Sequence, residues 1–275
     1  MIPLPPYEKS MVSRFRSALN PESQPPLFEK AQTDACSSSA VLLLLGTSTI
    51  YGREEPCLIL NKRSQDVRQA GDLCCPGGGI EPRLDNFLAR LLFLPFSLLR
   101  QWPHFKTWQK KSPHALQKMA LFLSTSLRES VEEMRLNPLG VTFLGPLPPQ
   151  HLVMFHRTIF PMAAWITRQN KFHHNWEVEK VVRIPLRNLL NPSFYRRYLL
   201  LFESNNPSHV GGSDYALPCF LHQDDTETEV LWGATFRITM VFLEMAYGFT
   251  PPDINSLATI QGLLNNRYIN GKKRA

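Results

Sequence analysis

The sequence contains no CxxC pair, and its five cysteines, Cys36, Cys57, Cys74, Cys75 and Cys219, are odd in number. Both features argue against a disulfide framework and against a cysteine zinc site. Cys74 and Cys75 are adjacent, poorly placed to bridge each other, and read as core thiols. No apolar stretch approaches the roughly 20 residues of a membrane-spanning helix; the longest, LARLLFLPFSLL at 88–99, is interrupted by Arg90 and Pro95. The opening MIPLPPYEKS lacks a basic segment followed by an apolar one, so no secretory leader is expected. These absences point to a soluble, cytoplasmic protein. Acidic residues are missing altogether from 86–127, which carries Arg90, Arg100, Lys106, Lys110, Lys111 and Lys118, six of the net seven positive charges. Such an excess suits a nucleic acid, a phosphate-rich metabolite or an acidic membrane surface. No nucleic-acid-binding motif accompanies it, so nucleic acid is not expected as a partner.

What is present is enough for a core: 43% of the 275 residues are hydrophobic and 11% aromatic. That length suits one domain with insertions or two small ones. A Pro-rich segment, 1–35, holds one short helix around YEKSMVSRFRSAL. SSSAVLLLLGTSTI (37–50) and EPCLILNKRS (55–64) are short apolar runs bounded by turn formers, and read as neighbouring buried strands. GDLCCPGGGIEP (71–82) is a strand entering a Gly-rich turn, and 120–136 is a helix stopped by Pro138. Strands follow at 140–149 and 157–167, and 176–190 is a strand leading into a short helix; then come a strand at 214–222 and an apolar helix at 233–248. The mixture lacks regular βα alternation, which favours α+β or an α/β sandwich over a doubly wound sheet.

Within the 120–136 helix, SLRESVEEMRL places Arg128, Glu129, Glu132 and Glu133 at i, i+1, i+4 and i+5. Residues three and four apart share a helix face, so the carboxylates form one acidic ridge whose members repel. A solvated charged face is one reading. A divalent-cation site is the other, because hard cations such as Mg²⁺ take oxygen ligands. The upstream glycines would let backbone approach an ion or a phosphate. Such a site suits attack of water on a phosphate, with the ion neutralising charge and acidifying bound water.

LRESVEEMRL resembles the helical half of the Nudix box, G-x5-E-x7-R-E-U-x-E-E-x-G-U with U apolar. Arg128, Glu129, Glu132, Glu133 and Leu136 fall on its R, E, E, E and final U positions, and PGGG (76–79) on its opening glycines. The resemblance implies that Glu129, Glu132 and Glu133 bind Mg²⁺ or Mn²⁺ and that Arg128 orients them. It also implies that the first acid is Asp85 or Glu81. LILNKRS followed by RQAGDLCCPGG, then WEVEKVVRIPLRNLL and LWGATFRIT, resemble the coenzyme A diphosphatases of that superfamily. The expectation is therefore a Nudix-fold α/β/α sandwich with a mixed β-sheet. Its substrate would be coenzyme A or a derivative, cleaved to phosphopantetheine and adenosine 3′,5′-bisphosphate. Another nucleoside diphosphate derivative, or a silent ligand-binding module, are the alternatives.

The expected domain spans 36–250, followed by a basic tail at 251–275. Arg63, Arg68, Gly77 and Gly78 are the candidate substrate-binding residues; the two arginines read equally as loop cations. Glu177 and Glu179 are candidates for a base or further ligand, and equally for ordinary strand-end acids. Arg135 stands where the box has a glycine ending the helix in a left-handed turn, so the exit loop is expected to differ. Gly78 to Arg128 spans 50 positions where the plain box spans 14, placing a basic, apolar insertion of 36 residues around 86–126. It reads as a cap over the site, a homodimer contact, or a weak membrane-surface contact.

Overall fold

Val41–Leu45 is apolar at every position, a pattern that only burial on both faces of a sheet satisfies. A computed structural model describes residues 6–19, 25–31, 33–34, 37–50, 53–152, 157–167, 169–202, 215–223, 227–264 and 268. Its elements run α1 (Pro6–Ala18), α2 (Pro25–Glu29), β1 (Ser38–Ile50), β2 (Arg53–Arg63), β3 (Leu73–Cys74) and β4 (Gly77–Gly79). Then come α3 (Pro82–Leu91), α4 (Phe105–Lys111), α5 (Pro113–Met134), β5 (Val141–Pro146), β6 (Gln150–Leu152), β7 (Arg157–Ile166) and β8 (Val178–Pro185). The chain continues through α6 (Leu186–Leu189), β9 (Tyr195–Phe202), β10 (Tyr215–Gln223), β11 (Thr228–Leu231), α7 (Gly233–Tyr247) and β12 (Thr259–Leu264).

β1 is the central strand, antiparallel to β2 and parallel to β7 in a mixed sheet ordered β3-β2-β1-β7-β5. Its side chains alternate between two cores, as the period of two requires. Leu42 and Leu44 pack with Ile59, Met162 and Ala164 beneath α2, α4 and α5. Leu43 and Leu45 pack with Leu58, Leu60, Ala163 and Trp165 against α1, α6 and α7. The expected α/β/α sandwich is therefore what the chain forms. Helix α1 belongs to it: Phe15 is fully buried, its ring 5.2 Å from Phe242 and 6.0 Å from Trp165.

Three features differ from the sequence reading. A second, four-stranded sheet, β11-β10-β9-β12, stands beside the first. Strand β12 falls in the segment read as a basic tail; residues 269–275, with the NGKKRA end, lie outside the described residues, as does Cys36. Arg196 and Arg197 in β9, and Gln261 with the side-chain-free Gly262 in β12, dilute the alternation that would have announced these strands. Much of the segment 86–126 belongs to the core. Leu99, Trp102, Phe105 and Trp108 are buried in the same core as Phe28 and Phe143, and the Trp102 indole donates to the Leu144 carbonyl at 3.1 Å. Its last third joins the helix that carries the acids, so α5 begins at Pro113, whose fixed φ and missing N–H suit a first turn. The Phe122 ring of α5 stacks on Phe160 of β7 at 3.8 Å and fixes the helix over the sheet.

Candidate active site

Three glycines carry the backbone from the sheet to α3. A Cβ on Gly77 would lie 2.4 Å from the Ala40 carbonyl oxygen and 2.5 Å from the Val41 Cα, with φ at +154°, so β4 can lie along β1 only without a side chain there. A Cβ on Gly78 would fall 2.4 Å from Glu129 Oε1. That bare surface is what lets the Glu129 carboxylate reach the turn.

Beyond the turn, α3 delivers Asp85, fully buried, to the side of α5. Its carboxylate accepts from Arg128 Nε at 2.7 Å and Nη2 at 3.2 Å, from the Thr125 hydroxyl at 2.8 Å and from the Glu81 backbone N–H at 2.7 Å. The fork geometry of guanidinium and carboxylate makes this a strong, oriented pair. Arg128 also donates to the Gly79 carbonyl at 3.0 Å, and its Nη1 reaches Glu129 Oε1 at 3.1 Å and Glu132 Oε1 at 3.3 Å. Burial opposes the guanidinium charge, but Asp85, Glu129 and Glu132 outweigh that and raise its pKa. Of the two candidates for the first acid, it is Asp85 that meets the arginine, although 43 positions separate them in sequence.

Glu133 is buried at the other edge of the ridge. Burial, and after it the Glu129 charge, push its carboxyl up to about 8, against the pull of an Asn61 hydrogen bond and Arg63; Glu177 adds to the rise. The Asn61 amide, on β2, donates at 2.8 Å, while its own Oδ1 is buried with no hydrogen-bond partner among the described residues. Glu129 is likewise raised, by burial first, with Arg128 opposing and Glu132 adding to the rise. Glu132 is turned outward, 53% exposed and paired to Arg128. As they stand, no three His, Cys, Asp or Glu side chains among the described residues form a ready ligand cluster. What does lie together is two mutually repelling, desolvated carboxylates, Glu129 and Glu133. Such hard oxygen donors fit a divalent cation of the Mg²⁺ or Mn²⁺ type.

Helix α5 ends at Arg135 in the left-handed conformation, φ 54° and ψ 41°, with Leu136 N–H bonded back to the Ser130 carbonyl. The exit turn therefore keeps the geometry a glycine would give, contrary to the expectation of a different loop. Gln169 holds it from outside, donating to the Arg135 carbonyl at 2.9 Å and accepting from Asn137 N–H at 2.7 Å.

The remaining candidates divide. The Arg63 charge is felt by both Glu133 and Asp72, and its Nε donates to the Arg68 carbonyl at 2.8 Å. Arg68 is exposed. Glu179 is engaged elsewhere, 3.3 Å from the buried ammonium of Lys62, in a cluster with Lys180, Glu227 and Glu229 that ties β2 and β8 to β11. Burial raises the thiol of Cys74 to about 12 and that of Cys75 further, as expected of inert core thiols. Asp72 was not singled out from the sequence. It accepts from the Trp232 indole at 3.0 Å and from the Tyr268 hydroxyl at 2.5 Å, tying the loop after β2 to the start of α7 and to the C-terminal segment.

No family model matches the chain. Among curated proteins it is similar to an uncharacterized Nudix hydrolase, NudL, of Pectobacterium atrosepticum, 27% identical over 177 residues that cover 64% of this chain and 67% of that one. Solved structures resembling it include a Nudix hydrolase from Nitrosomonas europaea, 12% identical over 84% of this chain and 80% of that one, with a TM-score of 0.36. Another is the M. smegmatis Nudix hydrolase RenU, 12% identical over 58% and 76%, also at 0.36. Structural likenesses of that size are too slight to bear on what the chain does.

Proposed function

We propose that this chain, a hydrolase of the Nudix superfamily, cleaves the diphosphate linkage of coenzyme A or a close derivative, releasing phosphopantetheine and adenosine 3′,5′-bisphosphate. The observation that carries the reading is the Asp85–Arg128 fork with Glu129 and Glu133 desolvated beside it. With Asp85 as the first acid, the box opens at Gly79, and the extra residues, 35 of them, all lie between Asp85 and Arg128. The coenzyme A assignment draws support from LILNKRS, GDLCCPGG, WEVEKVVRIPL and LWGATFRIT, which stand in the order of that subgroup.

Glu129, Glu132 and Glu133 would hold the divalent ion, which when bound supplies charge neutralisation at the phosphates and a more acidic water. Arg128, pinned by Asp85, would orient Glu129, while Glu132 would turn inward from its exposed position to join the ion. Gly78 keeps the space before Glu129 open. Arg63 would meet a phosphate oxygen, and the Asp72 tie to Trp232 and Tyr268 holds the end of its loop. A comparison of kcat/KM over coenzyme A, acyl-coenzyme A, ADP-ribose and diadenosine polyphosphates tests the substrate class. At least a tenfold preference for the coenzyme A compounds is expected; an equal preference for ADP-ribose would overturn the assignment.

A further inference from the structure

Helix α3 has two working faces. On one, Asp85 and Ala89 are buried against α5. On the other, Leu84, Phe87 and Leu91, spaced i, i+3 and i+7, form a single stripe, and they are 40%, 57% and 41% exposed. The stripe continues past the helix end into Leu94, 54% exposed, and Phe96, 88% exposed. Phe96 is also held at φ +67°, a conformation that bulky residues avoid. Its turn is pinned around it: Gln101 donates to the Phe96 carbonyl at 2.6 Å, and the Ser97 hydroxyl donates to the Leu92 carbonyl. A phenyl ring is thus presented to the outside by a turn built to keep it there.

The charges along this stripe are mainly basic, with one exposed acid, Glu81, at the start of α3. Arg83 and Arg90 lie along one flank of it, as the helical spacing places them, and both are exposed. From 82 to 111 the other charged residues are Arg100, Lys106, Lys110, Lys111 and Asp85, and Asp85 is buried on the opposite face under Arg128. We infer that the outer face of α3 and the Phe96 turn form a docking surface for an anionic lipid bilayer. The apolar residues would enter the interface and the arginines remain at the level of the headgroups. Apolar stripe and cationic flank are the features that suit such a surface; a protein partner recognised through its own core would not need the arginines on that flank. Because Asp85 is on the same helix, binding would hold the candidate site close to the membrane surface.

Flotation of the full chain with vesicles tests this, using pure phosphatidylcholine against phosphatidylcholine containing phosphatidylglycerol. Binding to the anionic vesicles that weakens with added salt is expected. Phe87→Ser with Phe96→Ser should reduce that binding by roughly tenfold or more, and Arg83→Gln with Arg90→Gln by roughly 30-fold. Both pairs are exposed and should leave the circular dichroism spectrum unchanged. The inference is overturned if the chain stays with neither vesicle at low salt, or if both variants bind as the original does. It is also overturned if sedimentation shows a dimer that Phe87→Ser with Phe96→Ser abolishes, which would give the same face to a second copy.

Discussion

Replacing Asp85 by Asn tests whether α3 acts as the brace of the acidic ridge. The carboxylate takes four hydrogen bonds, two of them from the Arg128 fork, and has no access to solvent. Asn has nearly the same shape but offers a single acceptor oxygen, and its NH₂ would face donors from Thr125, Glu81 or Arg128. Arg128 would lose its main counter-charge while only 8% exposed. Removing one partner of a buried ion pair costs about 3–5 kcal/mol. The lower end, about 3 kcal/mol, applies here, because Glu129, Glu132 and the Gly79 carbonyl still hold the guanidinium. Chemical denaturation should show that loss, and a double-mutant cycle with Arg128→Gln should return most of it as coupling between the two residues. In the assay, kcat should fall on the order of 100-fold through misplacement of the ridge, with KM for coenzyme A changing much less, since Asp85 lies behind the arginine. A variant within about 1 kcal/mol of the original stability and with full kcat would refute the bracing role.

Other substitutions probe separate parts of the structure. Arg135→Gly relieves a left-handed residue while keeping the carbonyl that Gln169 binds, and should raise stability by about 0.5–1 kcal/mol in urea unfolding. Trp102→Ala should cost about 3–5 kcal/mol, the value for a core aromatic; an appended cap would lose almost nothing. Asp72, whose carboxyl burial pushes up to about 6 against its hydrogen bonds from Tyr268 and Trp232, gives a pH signature. A carboxyl that holds its proton more tightly folded than unfolded stabilises the fold most below its unfolded pKa. That contribution is lost as pH rises through about 6. The stability of the original chain relative to Asp72→Asn should therefore fall by about 2–3 kcal/mol between roughly pH 4 and pH 7, measured by thermal or urea unfolding at each pH.

Parts of this arrangement were legible because their signals are local. The run Val41–Leu45 announces a strand buried on both faces. The spacing of Arg128, Glu129, Glu132 and Glu133 announces a ridge on a helix, whatever the surroundings. The glycines at 77–79 announce a close approach of backbone, although not that Glu129 would be the neighbour of Gly78. Long-range partners left no such trace. Asp85 could not be separated from Glu81 as the first acid, because the 42 residues between Asp85 and Arg128 carry no information about where a chain returns. Asn61 sits inside LILNKRS as a polar interruption of a strand, a weak sign by itself, and becomes meaningful only when β2 brings its amide to Glu133. The basic, apolar segment was legible in composition but ambiguous in placement. Its tryptophans are core, while Leu84, Phe87, Leu91, Leu94 and Phe96 remain outside.

The central claim is that the acidic ridge holds a divalent cation and cleaves the diphosphate of coenzyme A with it. The most direct measurement is product analysis by chromatography after incubation of the protein, and of Glu133→Gln, with coenzyme A in millimolar Mg²⁺ or Mn²⁺ and in excess chelator. The account requires release of adenosine 3′,5′-bisphosphate and phosphopantetheine by the original chain with metal, loss of release with chelator, and at least a 100-fold slower release by Glu133→Gln. Release that persists in chelator, or at full rate in Glu133→Gln, would contradict it.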